Sequence, residues 1–391
     1  MAVNAADAME TVRGQATPRA AYVHVPFCRH RCGYCNFTLV ARRDDLIPAY
    51  LDALERELRS LGRPRLVETL FFGGGTPTHL PPPALRRLLT LATHWFPLEP
   101  GHEFSVEANP MDVDDERLEL LAEFGVNRLS LGVQSFADAK LARLERDHRR
   151  AEIERAVRLA RPKMRSLALD LIFGVPGESL ADWQADVAVA LELSPDHLST
   201  YGLTIEKGTQ FWNRAQRGEL ASLPEELERT MYEWTVDTLA AAGWEHYEVS
   251  NFARPGFRCR HNETYWLGKS YWAAGPGAAR FVDGRREINH RSTSTYIRRL
   301  EAGLSPVAES ETLAPEDAAR ERLVFALRRL EGIDADEFFA ETGYAIETLV
   351  GRPLADFESL GFFQWEGRRL RLTRAGLLVS DGVWPAFLAS R

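Results

Sequence analysis

The sequence predicts an α/β protein, in which a partial (β/α)6 barrel precedes a winged-helix-like helical module. Two observations lead to this fold class. From Ala21 to about Tyr247, short apolar or β-branched runs alternate with amphipathic helical stretches, a pattern typical of βα units around a parallel sheet. From residue 316 onward, helical patterns and one hairpin replace that alternation. Six βα units are fewer than the eight of a closed barrel, so we expect an open one.

Each βα unit begins with a run that predicts one strand of the sheet. The six predicted strands are, in chain order, 21–25, 67–72, 103–108, 128–133, 167–173 and 197–203. Helical patterns between them cover 46–61, 84–96 and 181–193. Because crossovers between parallel strands are right-handed, these helices are expected to form one outer layer around a curled sheet.

The remaining segments divide the chain into four predicted parts. Residues 1–20 lack a clear pattern and predict a disordered N-terminus, and residues 21–247 form the barrel. Residues 248–315 are predicted to be an irregular, aromatic connection that contains the sequence HNETYW. In residues 316–391, a helical region, an apparent hairpin and a last helix predict the winged-helix-like module.

Composition excludes several classes of protein. The chain has 391 residues, 45% of them hydrophobic, and can bury a large core. No segment approaches about eighteen uninterrupted apolar residues, so no membrane span is expected, while peripheral membrane contact and the oligomeric state stay open. Four cysteines cannot form a secreted disulfide framework, and with no signal-peptide pattern this predicts a cytoplasmic protein. A net charge of −8, with 13 acidic and 10 basic side chains in 316–391, argues against nucleic acid as a partner.

Three of the four cysteines lie in one short loop after the first predicted strand. Cys28, Cys32 and Cys35 follow a C-x3-C-x2-C spacing within FCRHRCGYCNF. Thiolates select zinc, copper(I) or iron–sulfur clusters, and structural zinc sites close with four ligands. The nearest candidates for a fourth ligand are His24 and His30. The residues alone therefore leave two readings open, a zinc site of three Cys and one His or a four-iron cluster with one open iron.

The other unusual motifs also follow predicted strands. They are GGGTPTHL (73–80), EANP (107–110), QSF (134–136) and GVPGES (174–179). In barrel-like α/β folds the carboxyl ends of the strands form the functional face. We therefore expect all these motifs to meet the cysteine loop on one rim.

The cysteine spacing, with Tyr34 just before the third cysteine, resembles the radical S-adenosylmethionine (SAM) superfamily, and GGGTP matches that family's glycine segment after the second strand. The resemblance implies a [4Fe-4S] cluster on Cys28, Cys32 and Cys35 whose open iron binds SAM and whose electron cleaves it. It also implies that the backbone at Gly74 and Gly75 approaches SAM closely. Bulk at either glycine is then expected to exclude SAM and spare the cluster.

A closer resemblance covers most of the chain, from Tyr22 to the C-terminal helix. In order, YVHVPFC, FFGGGTPTHL, SVEANP, LSLGVQSF and DLIFGVPGES are similar to the oxygen-independent coproporphyrinogen dehydrogenases and their relatives. By matching motif, the cluster-bound SAM is lined by Tyr22, Gly75, Glu107 and Tyr247. A second SAM matches Tyr34, Thr76, Gln134, Arg146, Asp170 and Gly202. Each has an ordinary alternative, since a tyrosine can be a core aromatic, a carboxylate can pair with an arginine, and Gln134 can cap a strand.

Two features separate the branches of this group. Phe37 stands where the dehydrogenases carry a fourth cysteine, and HNETYW (261–266) resembles the HNxxYW signature of heme chaperones. That resemblance implies heme held with the help of His261 and delivery to an acceptor protein, with respiratory proteins among the candidates. A neutral imidazole is a common heme ligand. From the residues alone, the segment can equally be a hydrogen-bonded plug between barrel and C-terminal module, and Cys259 a small buried thiol.

Three functions from different classes stay open at this point. The first is a heme chaperone. The second is an enzyme, either a coproporphyrinogen III dehydrogenase or a SAM-dependent methyltransferase of the same group. The third is a scaffold whose site has decayed, which the intact cysteines and glycines disfavour. No catalytic residue can be assigned.

Overall fold

The computed structural model describes residues 17–389. Most of the predicted disordered N-terminus lies outside these residues. Its last residues do not fit that prediction, because strand β1 already begins at Ala20 and the Arg19 carbonyl oxygen accepts hydrogen bonds from the backbone of Glu68 and Thr69. The start of the barrel is therefore ordered by pairing with a neighbouring strand.

The described chain contains strands and helices that alternate up to residue 202. The strands are β1 (Ala20–Val25), β2 (Phe27–Cys28), β3 (Val40–Ala41), β4 (Val67–Gly74), β5 (Leu98–Ala108), β6 (Arg128–Gln134), β7 (Ser166–Phe173), β8 (His197–Gly202), β9 (Glu245–Glu248), β10 (Asn251–Ala253), β11 (Trp272–Ala274), β12 (Ala279–Val282), β13 (Arg285–Asn289), β14 (Val307–Thr312), β15 (Ile333–Asp334), β16 (Phe363–Glu366) and β17 (Arg369–Leu372). The α-helices are Ile47–Arg59, Pro82–Trp95, Asp115–Glu123, Asp138–Arg143, Arg150–Ala160, Leu180–Glu192, Gln210–Gln216, Glu225–Ala241, Arg260–Trp266, Thr293–Glu301, Pro315–Leu327, Ala335–Thr342, Ile346–Ser359, Arg374–Leu378 and Ser380–Leu388. Short 3-10 turns occur at Asp44–Leu46, Pro77–His79 and Pro110–Asp112.

One nine-stranded sheet forms the barrel, in the order β11-β1-β4-β5-β6-β7-β8-β10-β9. Neighbours from β11 to β8 are parallel, whereas β10 runs antiparallel to β8 and to β9. The central strands β1, β4, β5, β6, β7 and β8 are the six that the sequence predicts, so the partial (β/α)6 barrel is confirmed. The sheet runs from an edge at β11 to an edge at β9, as an open barrel requires.

The two faces of the barrel strands differ in chemistry. Successive residues of a strand point to opposite faces. On β6, Leu129 and Leu131 are fully buried in the main hydrophobic core, which packs beneath the surrounding helices. Arg128 and Ser130 alternate with them and therefore point into the barrel. The same alternation on the other strands gives the barrel an apolar outer face and a polar interior.

Residues 248–315 are not the irregular connection that the sequence predicts. They contribute β10 and β11 to the main sheet and form a separate sheet in the order β12-β13-β14. The helix Thr293–Glu301 buries Tyr296 and Ile297 in the main core. These strands are only three to six residues long and carry mixed polar side chains, so their periodicity is too weak to detect.

Residues 313–389 form the C-terminal module around a hydrophobic core of their own. Helices at 315–327, 335–342 and 346–359 precede the β16–β17 hairpin, to which β15 adds a third strand. This agrees with the predicted winged-helix-like arrangement, whereas the domain limits at 247 and 315 stay a prediction. Among the described residues, no helix is long and apolar enough to cross a membrane.

Candidate functional site

The cysteine loop leaves the barrel at the carboxyl end of β1. Cys28 lies in β2, which pairs with β3 and so closes the loop at its base. The backbone N–H of Cys35 donates to the Cys32 carbonyl oxygen at 3.1 Å and tightens the turn between them. All three thiols are free, and Cys32 is buried while the other two are half-buried.

Contacts from three other strand ends reach this loop. Thr76, after β4, has its Oγ1 hydrogen-bonded to Cys28 Sγ at 3.3 Å. Arg146, in the connection after β6, donates from Nη1 to Cys32 Sγ at 3.4 Å. Arg29 of the loop donates to Asp112, after β5, at 2.9 Å. The connections after β4, β5 and β6, which carry three of the predicted motifs, therefore reach the cysteine loop.

The surroundings of the thiols bear on metal binding, because a thiol must lose its proton to become a ligand. Burial raises the pKa of Cys28 to about 12. Burial acts in the same direction on Cys32, but the hydrogen bond with His30 and the charge of Arg146 together bring the pKa of Cys32 below its usual value. Arg146 thus favours the thiolate form at the centre of the loop.

The zinc alternative requires a histidine beside the three thiolates. His24 Nε2 donates to the Thr38 carbonyl oxygen at 2.7 Å, and its Nδ1 is 3.0 Å from the Tyr22 hydroxyl. His30 Nε2 is shared between the Glu145 carbonyl oxygen and Cys32 Sγ. Across residues 17–389, no three His, Cys, Asp or Glu side chains converge on a single ion position. Because both histidines already have hydrogen-bond partners, either one would have to give up a present contact to become a fourth zinc ligand.

Close packing against neighbouring segments also requires glycine at positions 74 and 75. A Cβ on Gly75 would lie 2.6 Å from the Phe27 carbonyl oxygen, at the base of the cysteine loop, and a Cβ on Gly74 would overlap the His24 ring. Gly74 also has φ +107°, which favours glycine. The expectation that bulk here spares the cluster stays a prediction, and the geometry at Gly75 argues against it, because a side chain there would press on the backbone of the loop that carries Cys28.

A large cavity, here called the rim cavity, opens beside the glycine segment. Its volume is about 610 Å³, within the range of about 300–1,000 Å³ usual for cofactor sites. It is lined by Tyr22, His24, Phe37, Thr38, Gly74, Glu107, Gly277, Ala279, Ile288, Asn289, His290, Arg291, Ala308 and Glu309. Three predicted SAM residues, Tyr22, Gly74 and Glu107, therefore face one space beside the cysteine loop. That placement fits SAM in the rim cavity.

A second cavity, here called the barrel cavity, occupies the barrel interior and has a volume of about 230 Å³. It is lined by Tyr22, Phe71, Glu107, Arg128, Ser130, Asp170, Ser199, Tyr201, His261, Asn262 and Tyr265. Tyr22 and Glu107 line both cavities and so separate them. The sequence identified only Tyr22, Glu107, Asp170, His261 and its helix neighbours among these residues.

Glu107 and Asp170 are the two carboxylates of the barrel cavity. Glu107 accepts a hydrogen bond from the Gly74 backbone N–H at 3.0 Å. Burial, helped by the nearby charge of Asp170, raises the pKa of Glu107 to about 7. Asp170 accepts from Ser130 Oγ at 3.2 Å, and burial raises the pKa of Asp170 as well. A bound cationic group would therefore be favourable at this pair.

Four polar residues of the barrel interior escaped the sequence analysis. They are Arg128, Ser130, Ser199 and Tyr201. Arg128 and Ser130 alternate with the apolar residues Leu129 and Leu131 on β6, and Ser199 and Tyr201 lie on the face of β8 opposite Leu198. The alternation of apolar and polar residues within RLSLGVQ and HLSTYG could have revealed them. A strand whose two faces both pack against apolar groups reads instead as a nearly continuous apolar run.

The remaining predicted residues fall into two groups. Thr76 and Arg146 contact the cysteines, and Tyr34 of the loop packs edge-on against Phe211 with ring centroids 6.1 Å apart. Gln134 ends β6 with a left-handed φ of +67°, and Gly202 ends β8, so both lie at the carboxyl rim.

Tyr247 is the one predicted SAM residue that the structure places far from the loop. Its hydroxyl bonds His197 Nε2 at 2.8 Å, and His197 is the first residue of β8. Tyr247 therefore lies at the amino end of the strands, opposite the cysteines. The short local match that suggested Tyr247 could not reveal at which end of the barrel this residue lies.

His261 closes the amino end of the barrel from the helix Arg260–Trp266. Its Nδ1 bonds Thr69 Oγ1 at 2.9 Å and its Nε2 bonds the Tyr265 hydroxyl at 2.7 Å, while its ring stacks on Phe71. Burial lowers the pKa of His261 to about 3. The backbone N–H of His261 donates to Glu103, which also accepts from Arg260 N. Both ring nitrogens are therefore occupied, and the residue has the contacts expected of a plug.

Comparison with known proteins identifies two family regions in this chain. Residues 22–190 match the radical SAM superfamily, and residues 313–379 match the HemN C-terminal domain. Over 376 residues the chain is 35% identical to a protein named heme chaperone HemW from Bacillus subtilis, covering 95% of this chain and 99% of that one. It is 35% identical to heme chaperone HemW of Escherichia coli over 382 residues, covering 95% and 98%.

A solved structure shares the same fold. Coproporphyrinogen III oxidase (HemN) from Escherichia coli, described as a radical SAM enzyme, superposes with a TM-score of 0.85 and covers 98% of this chain and 93% of its own. The two sequences are 22% identical, so this likeness concerns the fold. It agrees with the barrel and the C-terminal module described above.

Proposed function

This chain belongs to the HemW family of heme chaperones within the radical SAM superfamily, and from that membership we propose that it binds heme, a [4Fe-4S] cluster and SAM and passes heme to an acceptor protein. The observation that carries the proposal is the full-length similarity to HemW proteins at 35% identity. We expect this delivery to take place in the cytoplasm.

The cysteine loop supports the cluster part of the proposal. Cys28, Cys32 and Cys35 would hold the iron atoms, and a bound cluster would supply single electrons to SAM. Arg146 lies against Cys32 Sγ, and its positive charge would offset the negative charge of the thiolates. Thr76 would orient Cys28 through their 3.3 Å hydrogen bond. The rim cavity beside the loop, with Tyr22, Gly74 and Glu107, would accommodate SAM.

His261 is the proposed heme ligand, and its present hydrogen bonds limit how it can bind iron. Because Nε2 is hydrogen-bonded to Tyr265, the imidazole can bind iron through that atom only after the Tyr265 hydroxyl withdraws. Removing the hydroxyl alone should therefore ease ligation. Removing the imidazole should abolish it.

The test compares His261→Ala and Tyr265→Phe with wild type, using anaerobically reconstituted full-length protein titrated with heme. We expect His261→Ala to bind heme at least about tenfold more weakly and Tyr265→Phe to bind it as well as wild type or better. Heme affinity is measured by absorbance, and the unfolding midpoint of each variant is recorded on the same preparation. If both variants bind heme normally and both unfold earlier, His261 is only a plug.

The same preparations test the cluster and the competing enzyme function. Iron and sulfide contents should fall sharply in Cys28→Ala and stay normal in Cys259→Ala, because Cys259 is fully buried beside Glu103, away from the cysteine loop. If wild type fails to bind heme and instead converts coproporphyrinogen III, the chaperone proposal is wrong and the protein is an oxidative decarboxylase.

A further inference from the structure

Arg128 has no hydrogen-bonding partner that accounts for its place in the barrel interior. It is only 4% exposed and lines the barrel cavity. Its Nε has no acceptor among the described residues, and Glu103 and Asp170 act on it through charge rather than through a hydrogen bond. A buried guanidinium without an acceptor is strongly unfavourable. Such a group points to a ligand that supplies the acceptor.

Another part of the same cavity is lined by carboxylates rather than by a cation. Glu107 uses its carboxylate for one hydrogen bond, to Gly74 N, and Asp170 accepts from Ser130. Both carboxylates face the cavity and retain acceptor positions for a cationic donor. The cavity therefore offers a cation at one end and two carboxylates at the other.

Aromatic rings form another wall of this cavity. Tyr22 and Phe71 stack with centroids 6.1 Å apart, and Tyr265 completes this side of the cavity. Rings of this kind suit a short apolar or thioether chain, because sulfur makes favourable contacts with aromatic side chains. At about 230 Å³ the cavity is below the range of about 300–1,000 Å³ usual for small-molecule and cofactor pockets, so it suits only a small ligand.

We propose that the barrel cavity binds a free α-amino acid, and specifically methionine. Its carboxylate pairs with Arg128, its ammonium group lies between Glu107 and Asp170, and its thioether packs against Tyr22, Phe71 and Tyr265. A bidentate guanidinium–carboxylate pair satisfies the buried arginine, and the ammonium group compensates the two carboxylates. The same amino-acid head occurs in SAM, but the attached nucleoside is too large for this cavity. The proposal does not depend on heme binding or on SAM cleavage.

Isothermal titration calorimetry on anaerobically reconstituted full-length protein tests the ligand. L-methionine should bind saturably, whereas L-methioninol, which lacks the carboxylate, and 4-(methylthio)butanoate, which lacks the ammonium group, should each bind at least about tenfold more weakly. Absence of methionine binding overturns the proposal. Equal binding of all three compounds also overturns it, because the charged ends would then play no part.

Variants locate the site. Arg128→Met should weaken methionine binding at least about tenfold, leave SAM binding unchanged and unfold no earlier than wild type, because it breaks no side-chain hydrogen bond and removes a buried charge that no acceptor satisfies. Arg320→Met is the matched control, since Arg320 is also buried but bonds Glu316 and the Phe387 carbonyl oxygen. That variant should unfold earlier and bind methionine normally.

Ile288→Trp, which narrows the rim cavity alone, should leave methionine binding unchanged. If Ile288→Trp abolishes methionine binding while Arg128→Met does not, the amino acid occupies the rim cavity and the proposal is wrong. If Arg128→Met unfolds earlier, as Arg320→Met does, Arg128 has a structural role and the proposal also fails.

Discussion

Glu107 lies, with Tyr22, between the rim cavity and the barrel cavity, and its protonation is set by burial and by its charged neighbours. Burial, followed by the charge of Asp170, raises the pKa of Glu107 to about 7. An unfolded chain ionises a glutamate near pH 4.3. Between these values the folded state holds the proton more tightly than the unfolded state. The stabilisation is therefore complete below about pH 4.3 and is lost as the pH rises through about 7.

Replacing this carboxyl by an amide should remove that pH dependence. Glu107→Gln keeps an acceptor for Gly74 N and carries no charge, so we expect its free energy of unfolding to exceed that of wild type by a few kcal/mol at pH 8, with little difference at pH 4.5. Urea unfolding of both proteins at the two pH values measures the effect. Glu68→Gln, at a half-exposed position of β4, should follow wild type throughout. Parallel profiles for wild type and Glu107→Gln would contradict the assignment.

The residues that the sequence could reveal are those whose chemistry is local. Cys28, Cys32 and Cys35 were found because a metal-binding loop keeps its spacing in the chain. Gly75 was singled out as a SAM residue, and its contact with Phe27 could not be foreseen because it joins segments that are distant in the sequence. Arg128 was missed because its significance depends on which groups lie across the cavity. Such long-range proximity cannot be read from a single strand.

Among elements, the loops after β6 and β7 are fixed to one another by a buried ion network. Lys140 is 1% exposed and donates to Glu178 at 2.5 Å and to Asp186 at 2.9 Å. Glu178 also accepts from Val175 N in the loop after β7, and Asp186 accepts from Phe136 N in the loop after β6. The network holds the two loops that form one side of the carboxyl rim.

Removing the cation should destabilise this part of the rim strongly. Lys140→Met leaves Glu178 and Asp186 buried without their partner, and we expect the free energy of unfolding to fall by about 3–5 kcal/mol. Denaturant unfolding under anaerobic conditions measures the loss. Lys163→Met is the control, since Lys163 pairs with Asp115 and Glu119 at the surface and should leave the midpoint unchanged. Equal effects of the two substitutions would mean that the network does not stabilise the rim.

The order of the barrel elements could be predicted because each strand carries a strong local signal. β6 spans Arg128–Gln134 against a predicted 128–133, and β7 spans Ser166–Phe173 against 167–173. Strands β10 and β11 were missed because each has three residues and is formed by pairing with β8 or β1. A strand that short depends on its partner more than on its own periodicity.

At the scale of the whole molecule, the helix Arg260–Trp266 connects two hydrophobic cores. Its first backbone N–H groups donate to Glu103 of β5, an acidic partner that suits a helix N-terminus. At its other end, Trp266 packs edge-on against Phe325 of the C-terminal module, with ring centroids 6.4 Å apart, and Arg328 lies over the indole at 4.9 Å. The helix that bears His261 is thus tied to the barrel at one end and to the module at the other.

Because of this connection, loss of the contact between Trp266 and the module should destabilise the helix that bears His261 before it destabilises the barrel strands. Trp266→Ala is expected to lower the free energy of unfolding by about 1–3 kcal/mol, less than for a fully buried tryptophan because the indole is partly exposed. Hydrogen exchange followed by mass spectrometry should show faster exchange in 260–266 and 315–327, with β4 to β7 unchanged.

Trp365→Ala is the control, because Trp365 lies in β16 and packs against the core of the module, so 260–266 should stay protected. If Trp266→Ala instead speeds exchange evenly across the barrel strands, the barrel and the module unfold as one unit. In that case the helix cannot open separately from the barrel. The Tyr265 hydroxyl would then have to leave His261 Nε2, as heme binding requires, without movement of the helix.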